Sequence, residues 1–150
     1  MNVLGLQCEK NRIIWAVASG STRASASLLG AGSSGPPSDD RSEQLLWVYK
    51  EISEMIATHA PDVIHLSEAE AGQSMKASTL ERAQVDGIVL AAAAQSRTPI
   101  HTFKWATLRA RFKVGAKEQI LAYVAELAVA EGIPKSRLTP VVAAIATMDA

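Results

Sequence analysis

The chain has 150 residues, 48% of them hydrophobic and 20% charged, a composition typical of one globular domain with a sizeable core. Lys and Arg balance Asp and Glu at 15 each, so no general basic excess points to nucleic acid, although a local basic patch is compatible with this balance. Cys8 is the only cysteine, which excludes an intrachain disulfide and is expected of a cytoplasmic protein. No apolar run reaches the length of a membrane span, so no membrane partner is expected.

The first part of the chain predicts antiparallel strands. The apolar run 3–6 and the stretch 12–19, which contains Ile13, Ile14, Trp15 and Val17, flank a polar turn. This is the pattern of a hairpin, and residues 27–29 are suited to a third strand. The stretch 20–37 is rich in Ser, Gly and Ala, which predicts a connection that is flexible from residue 30 onward.

The rest of the chain predicts helices alternating with strands, and therefore a sheet that is partly parallel and covered by helices. The predicted elements are a helix from Ser38 to His59, a strand over 62–66, a loop with Gly72, a helix over 78–95 opened by a capping box of Ser78 and Glu81, a strand over 99–103, a helix over 116–131, and a last helix with Thr139 as N-cap and Pro140 as its first residue.

Four motifs in this order resemble those of the RuvC-type Holliday-junction resolvases. Residues 3–9 read Val-Leu-Gly-Leu-Gln-Cys-Glu, where that family has Ile-Leu-Gly-Ile-Asp-Pro-Gly. Residues 61–68 begin with Pro-Asp, as does the family's fourth strand, which ends in Ile-Glu. Residues 82–87 resemble its Ala-Arg-Gly segment, and residues 113–120 its Gly-x-Ala-x-Lys-x-Gln-Val helix start.

The resemblance covers nearly the whole chain apart from residues 20–37, and bacterial RuvC-like proteins with a degenerate site are the most similar group. It implies an α/β, ribonuclease-H-like fold in a single domain over 1–150. The mixed sheet would have three antiparallel strands and two parallel ones, flanked by helices.

The chain departs from the family at the positions of the catalytic carboxylates. Those positions hold Gln7, Ser67 and, in an acid-free stretch over 132–148, Val142. The family's chemistry implies two Mg²⁺ ions held by carboxylates, and Mg²⁺ prefers charged oxygen ligands. Gln7 brings no charge and Ser67 is a poor ligand. We therefore expect no catalytic residues, no metal and no cofactor, in a protein that acts as a binding or scaffolding module.

Two alternatives stay open at this point. An active metal-dependent endonuclease, with Mg²⁺, would need its acids relocated to Glu9, Glu68 and Glu70. Against this, Glu68 and Glu70 also suit an ordinary solvated loop. The neutral net charge favours the other alternative, a protein-interaction scaffold with no nucleic-acid role. His65 and His101 fall within predicted strands without metal-ligand spacing and are expected to be hydrogen-bonded core or edge residues.

One segment of the chain is basic and free of acids. Its cations are Lys104, Arg109, Arg111, Lys113 and Lys117. The resemblance implies that this segment faces a phosphodiester backbone, with Trp105 and Phe112 as stacking or packing partners. A solvated helix and loop surface explains the same residues.

The helix predicted over 78–95 carries small residues on one side, at Gly87, Ala91 and Ala94. The family uses this helix for its homodimer contact, so the resemblance implies a homodimer through it. Close packing of the same helix on its own sheet is the alternative.

Overall fold

We describe the fold from a computed structural model, which covers residues 1–70 and 76–149; the predicted Gly72 loop lies outside these residues. The secondary structure elements in chain order are β1 (Asn2–Glu9), β2 (Arg12–Ser19), β3 (Ser27–Ser34), α1 (Arg41–His59), β4 (Val63–Ser67), α2 (Ala77–Gln95), β5 (Ile100–Phe103), α3 (Trp105–Phe112), α4 (Lys117–Ala130), a 3-10 turn (Lys135–Arg137) and α5 (Thr139–Ile145).

The five strands form one mixed sheet in the order β3-β2-β1-β4-β5. β1, β2 and β3 are antiparallel neighbours, whereas β4 pairs parallel to β1 and β5 pairs parallel to β4. Parallel neighbours need a long crossover, and α1 and α2 provide the two that lead into β4 and β5. The predicted mixed sheet of three antiparallel and two parallel strands is confirmed.

The central strand β1 buries both of its faces. Leu4, Leu6 and Cys8 join a core with residues of α1 and α2, while Val3 joins a second core with residues of α3, α4 and α5. Because side chains alternate along a strand, Gly5 and Gln7 point to the same side as Val3. The sheet is therefore the middle of three layers, with α5 on the face to which Gln7 points.

α5 crosses β1 at Gly5 in backbone contact. A Cβ atom on Gly5 would overlap the carbonyl oxygen of Pro140 and lie 2.8 Å from the amide nitrogen of Ala144. Both obstructing atoms belong to the α5 backbone, which cannot rotate away as a side chain would. The glycine is thus required by the distance between strand and helix.

The flexible connection predicted from residue 30 is wrong, because β3 continues to Ser34. Trp15 pairs with Gly32 across the two strands. A Cβ on Gly32 would lie 2.9 Å from Nε1 of Trp15, and one on Gly30 would lie 3.4 Å from the same ring. The indole lies against the two glycines and compensates for their missing side chains, so a glycine-rich segment forms a regular strand.

Helix starts also differ from the predictions. The predicted capping box of Ser78 and Glu81 is absent, because α2 begins at Ala77 with Lys76 as its N-cap. Glu81 instead forms an ion pair with Lys10, with 3.0 Å between Oε2 and Nζ. Thr139 is the first residue of α5 and not its N-cap. α1 begins at Arg41 and not Ser38, after Asp40, whose side chain accepts from the Glu43 amide.

α3 was not predicted as a helix. It spans eight residues and buries only one of them, Leu108. A helix this short shows too little apolar periodicity to be recognised from its sequence.

Candidate functional site

The sheet places Gln7 and Ser67 side by side. They are register partners on the parallel strands β1 and β4, close to the carboxyl ends of both. Their side chains point to the face covered by α5, since Val3 and Val63 of the same two strands pack in the core on that face. Gln7 is half-buried and Ser67 is 1% exposed. The structure thus brings together two of the three positions singled out from the sequence.

The third position, Val142, lies in a helix that is buried along its whole length. Every residue of α5 from Thr139 to Ile145 is buried, and Val142 has no exposed surface. His65 of β4 fastens this helix, because its Nδ1 donates to the carbonyl oxygen of Ala143 at 2.7 Å. The predicted hydrogen-bonded role of His65 in the core is confirmed. α5 therefore presents packed apolar side chains at the sheet and no acid.

The donor set at these positions does not fit a two-magnesium centre. Gln7 offers a neutral amide, Ser67 a buried hydroxyl and Val142 no donor, whereas paired Mg²⁺ ions require carboxylates to offset their charge. A cation also stands beside the site, since Nη2 of Arg82 donates to the carbonyl oxygen of Ser67 at 2.9 Å.

The candidates for relocated acids, Glu9, Glu68 and Glu70, lie at or just after the carboxyl ends of β1 and β4. Oε1 of Glu70 accepts from the amide of Trp105 at 3.1 Å, at the positive end of α3. Glu9 and Glu70 line a cavity of about 250 Å³, and Glu68 is not among its lining residues. Among residues 1–70 and 76–149, no group of three His, Cys, Asp or Glu side chains is placed to hold a metal ion.

Arg82 and Asp86 fix the segment that follows β4, a role that was not predicted from the sequence. Arg82 donates a hydrogen bond to the carbonyl oxygen of Ser67, and Oδ2 of Asp86 accepts a hydrogen bond from the amide of Ala69 at 2.8 Å. Burial is the main cause that raises the pKa of Asp86. In the sequence, only their separation by four residues, which places two opposite charges on one side of a helix, indicated that they could act together.

Cys8 of β1 is fully buried in the core that β1 forms with α1 and α2. Burial, and secondarily the charge of Asp86, raises the pKa of the thiol well above its usual value. A neutral, enclosed thiol is a packing group and not a nucleophile.

His65 makes the stability of the fold depend on pH. Burial, as the main cause, lowers the pKa of His65 to about 4, with the charges of His101 and Arg111 acting in the same direction. The unfolded chain therefore binds a proton as pH falls from 6.5 to 4, while the folded chain does not. We expect a loss of about 3 kcal/mol of unfolding free energy across that interval from this residue.

His65→Gln keeps a donor for Ala143 and removes the titration. The measurement is urea unfolding of both proteins at several values of pH between 7.5 and 4. We expect the variant to lose less stability than the wild type as pH falls. Parallel pH profiles would contradict the assignment.

The structure distributes the predicted basic patch around α3 and the start of α4. Lys104, Arg111, Lys113 and Lys117 are exposed, and Arg109 is half-buried. Arg109 and Arg111 lie on different sides of α3, since two residues correspond to a turn of about 200°. The two arginines of α3 therefore cannot both face one flat surface.

Both aromatic residues proposed as stacking partners are already in contact with cations of the same chain. Nζ of Lys117 lies 4.4 Å from the ring centroid of Trp105, and the guanidinium of Arg23 lies 4.1 Å from that of Phe112. Arg23 was not identified from the sequence. It also donates to the carbonyl oxygens of Arg111 and Ala146 and so joins the hairpin of β2 and β3 to α3 and α5.

The small residues of α2 face outward. Gly87, Ala91 and Ala94 are exposed, and a Cβ on Gly87 would meet no atom within 4 Å. The side of α2 that faces the fold is formed by other residues, such as Val85 and Val89. The alternative that these small residues pack on their own sheet is wrong.

Within the described part of the chain, no helix combines the length and the apolar character needed to cross a bilayer.

Comparison with known proteins gives one family. The sequence profile of the RuvC family, described as crossover junction endodeoxyribonuclease RuvC, matches residues 3–147. Among curated proteins, no sequence match was found.

Solved structures give the same fold. The structure of Thermus thermophilus RuvC superposes with a TM-score of 0.81 at 17% identity, covering 97% of this chain and 92% of that one. T. thermophilus RuvC in complex with a Holliday junction substrate gives a TM-score of 0.79 at 16% identity, covering 97% and 91%. The yeast mitochondrial Holliday junction resolvase Ydc2 gives 0.60 at 11% identity, covering 96% and 77%.

Proposed function

Since this chain belongs to the RuvC family, we propose that it is a catalytically inactive member that binds structured nucleic acid, with four-way-junction DNA as the first ligand to test. One observation carries the proposal: the fold is intact, while Gln7, Ser67 and Val142 supply neutral groups in place of carboxylates. A single domain over 1–150 without cofactor, located in the cytoplasm, is part of the same proposal.

Exposed cations support the nucleic-acid part. Lys104, Arg111, Lys113 and Lys117 are exposed around α3 and the start of α4, and each can contact a phosphate. Phosphate contacts of this kind act independently of cleavage chemistry, so a protein that has lost its catalytic acids keeps the means to bind. The T. thermophilus relative was solved with a Holliday junction substrate, which makes a four-way junction the appropriate probe.

We expect Lys113→Glu combined with Lys117→Glu to weaken junction binding at least tenfold near 0.1 M salt. Two lost phosphate contacts should also lower the slope of log affinity against log salt by about 2. Fluorescence anisotropy with a labelled junction, repeated over a salt series, measures both quantities.

The matched control is Lys50→Glu combined with Lys135→Glu, two exposed lysines outside the basic segment, with the same change in net charge. If both double variants weaken binding equally, the segment is not the contact surface. If the wild-type protein binds no junction, the protein-scaffold alternative replaces the proposal.

One observation favours the nuclease alternative. Glu9 and Glu70 line the same cavity beside the ends of β1 and β4, next to the position of the family's site. A metal held there would need a further acid, for which Glu68 is the candidate. Glu68→Ala is therefore the variant that separates this alternative from a binding protein.

We propose a homodimer through α2 as the oligomeric state. Its outward side carries Gly87, Ala91 and Ala94 together with the exposed side chains of Leu80 and Leu90. Small residues allow two helices to approach closely, and exposed leucines supply apolar area to bury.

Gly87→Arg should convert such a dimer to a monomer without loss of the fold, because the space around Gly87 is open in one copy of the chain. Gly115→Arg is the matched control, since a Cβ there also meets no atom within 4 Å. Sedimentation velocity of the three proteins gives the oligomeric state. An unchanged dimer in Gly87→Arg would exclude this helix as the interface.

A further inference from the structure

The outer edge of β3 is an unprotected edge of the sheet. Within the part of the chain that the structure describes, β3 pairs with β2 alone, and the strand order leaves its other side open. Residues 24–38 contain no charged side chain, and β3 itself contains no proline. Natural sheet edges are commonly guarded against further pairing by charges, prolines or bulges. The register shift of this strand pair lies near Leu29, so residues 30–34 form a regular edge.

The neighbouring strands determine which peptide groups of β3 point to the open edge. The amide of Asp62 donates to the carbonyl oxygen of Asn2, so the even-numbered residues of β1 bond to β4 and the odd-numbered ones to β2. In the register of the sheet, β2 then uses its even-numbered residues for β1 and its odd-numbered residues for β3. Gly32 is bonded to β2 in this pattern, whereas Ala31 and Ser33 direct their N–H and C=O groups to the open edge.

This edge is suited to a second copy of itself. In an antiparallel pair centred on Gly32, Ala31 of one copy exchanges backbone hydrogen bonds with Ser33 of the other, and the reverse pair forms as well. The residue at the centre meets its own copy, where a charge would repel itself and a large side chain would collide. A glycine at this position avoids both, and the small residues on either side of it let the two backbones approach.

The turn after α4 adds two charges that match a contact of this symmetry. Glu131 and Arg137 line a cavity of about 240 Å³ together with Gly30, Ala31 and Gly32, so both charges lie beside the β3 edge. Neither forms an ion pair with another described residue. The two-fold axis of an antiparallel pair is perpendicular to the sheet, so the turns of both copies lie on the same face and towards each other. The acid of one copy can then pair with the base of the other.

We propose that the β3 edge pairs in antiparallel with the β3 edge of a second copy, which gives one sheet continuous across both. A contact between two short edges of small residues buries less area than a stable interface of about 1,200–2,000 Å², so its dissociation constant should be about 0.1–1 mM. Gly87→Arg therefore stays monomeric at micromolar concentrations, and a dimer formed through α2 would be joined to further dimers only at higher ones. The inference does not depend on nucleic-acid binding, because the protein alone tests it.

The experiment is sedimentation equilibrium of the wild type and of Gly87→Arg from about 10 μM to about 1 mM. We expect the average mass of both to rise over this range. Ala31→Pro should abolish the rise, because proline removes an N–H that points to the open edge and is tolerated there. Ala31→Lys keeps the backbone unchanged and brings two like charges together across the axis, so it should weaken the association about tenfold. Ala57→Lys, at an exposed alanine of α1, is the matched control and should leave it unchanged.

A charge exchange tests the symmetry of the contact. Glu131→Arg alone should weaken the association severalfold, and Glu131→Arg combined with Arg137→Glu should restore it, because the exchanged charges are again complementary across a two-fold axis. An exchange as weak as the single change would overturn the antiparallel geometry. A rise in mass that is equal in the wild type and both Ala31 variants would overturn the proposal. Absence of any rise would also overturn it and leave the edge to a strand of another protein.

Discussion

Gly5→Ala is expected to lower the free energy of unfolding so far that much of the protein no longer folds. The added methyl group would overlap the Pro140 carbonyl and press on the Ala144 amide, so α5 would have to move away from β1. That movement opens the core around the buried residues of α5, and overpacking against a rigid backbone costs about 3 kcal/mol or more. Such a loss is a large part of the stability of a domain of this size. Urea unfolding followed by circular dichroism measures it.

Gly115→Ala is the control for this experiment. It introduces the same methyl group outside the proposed α2 interface, where the added Cβ would meet no atom within 4 Å, and it should change the free energy of unfolding by no more than about 0.5 kcal/mol. A Gly5→Ala protein as stable as the wild type would mean that α5 does not contact β1 through its backbone.

Val142→Asp is expected to cost about 3–5 kcal/mol, although the RuvC resemblance implies an acid in this part of the last helix. Val142 has no exposed surface, and a carboxylate there would be buried without a partner. Burial would raise the pKa of the new Asp, so part of the lost stability should return as pH falls and the group becomes neutral.

Gln7→Asp is the comparison for Val142→Asp. Gln7 is half-buried near the end of β1, so its replacement keeps access to water and should cost much less. Unfolding of both variants at pH 7 and pH 5 tests the difference. Equal stability of the two would show that α5 accepts an acid at position 142.

The position of Gln7 and Ser67 could be predicted from the sequence, whereas the burial of Val142 in α5 could not. The side-by-side position of Gln7 and Ser67 follows from two strands recognised by their apolar runs, because parallel strands bring their carboxyl ends to one edge. The burial of α5 does not follow from its own residues, since an Ala- and Val-rich helix can be covered or exposed. The contact at Gly5 decides it, and that contact joins residues distant in the sequence.

The errors in the fold have the same origin. The glycines of β3 look like a flexible connection until Trp15, on the neighbouring strand, is placed against them. Arg82 and Asp86 look like surface charges of a helix until β4 supplies the peptide groups that they bond. Periodicity within a segment identifies elements, whereas pairing across the fold determines what each residue contacts.

The most direct test of the account is a calorimetric titration of Mg²⁺ and Mn²⁺ into the protein, with binding and cleavage of four-way-junction DNA followed in the same buffers. A RuvC-family protein without catalytic carboxylates should bind the junction, show no saturable heat of metal binding and leave the DNA uncut. Saturable metal binding with junction cleavage, both abolished by Glu68→Ala, would contradict the account and show that the acids of the site have moved.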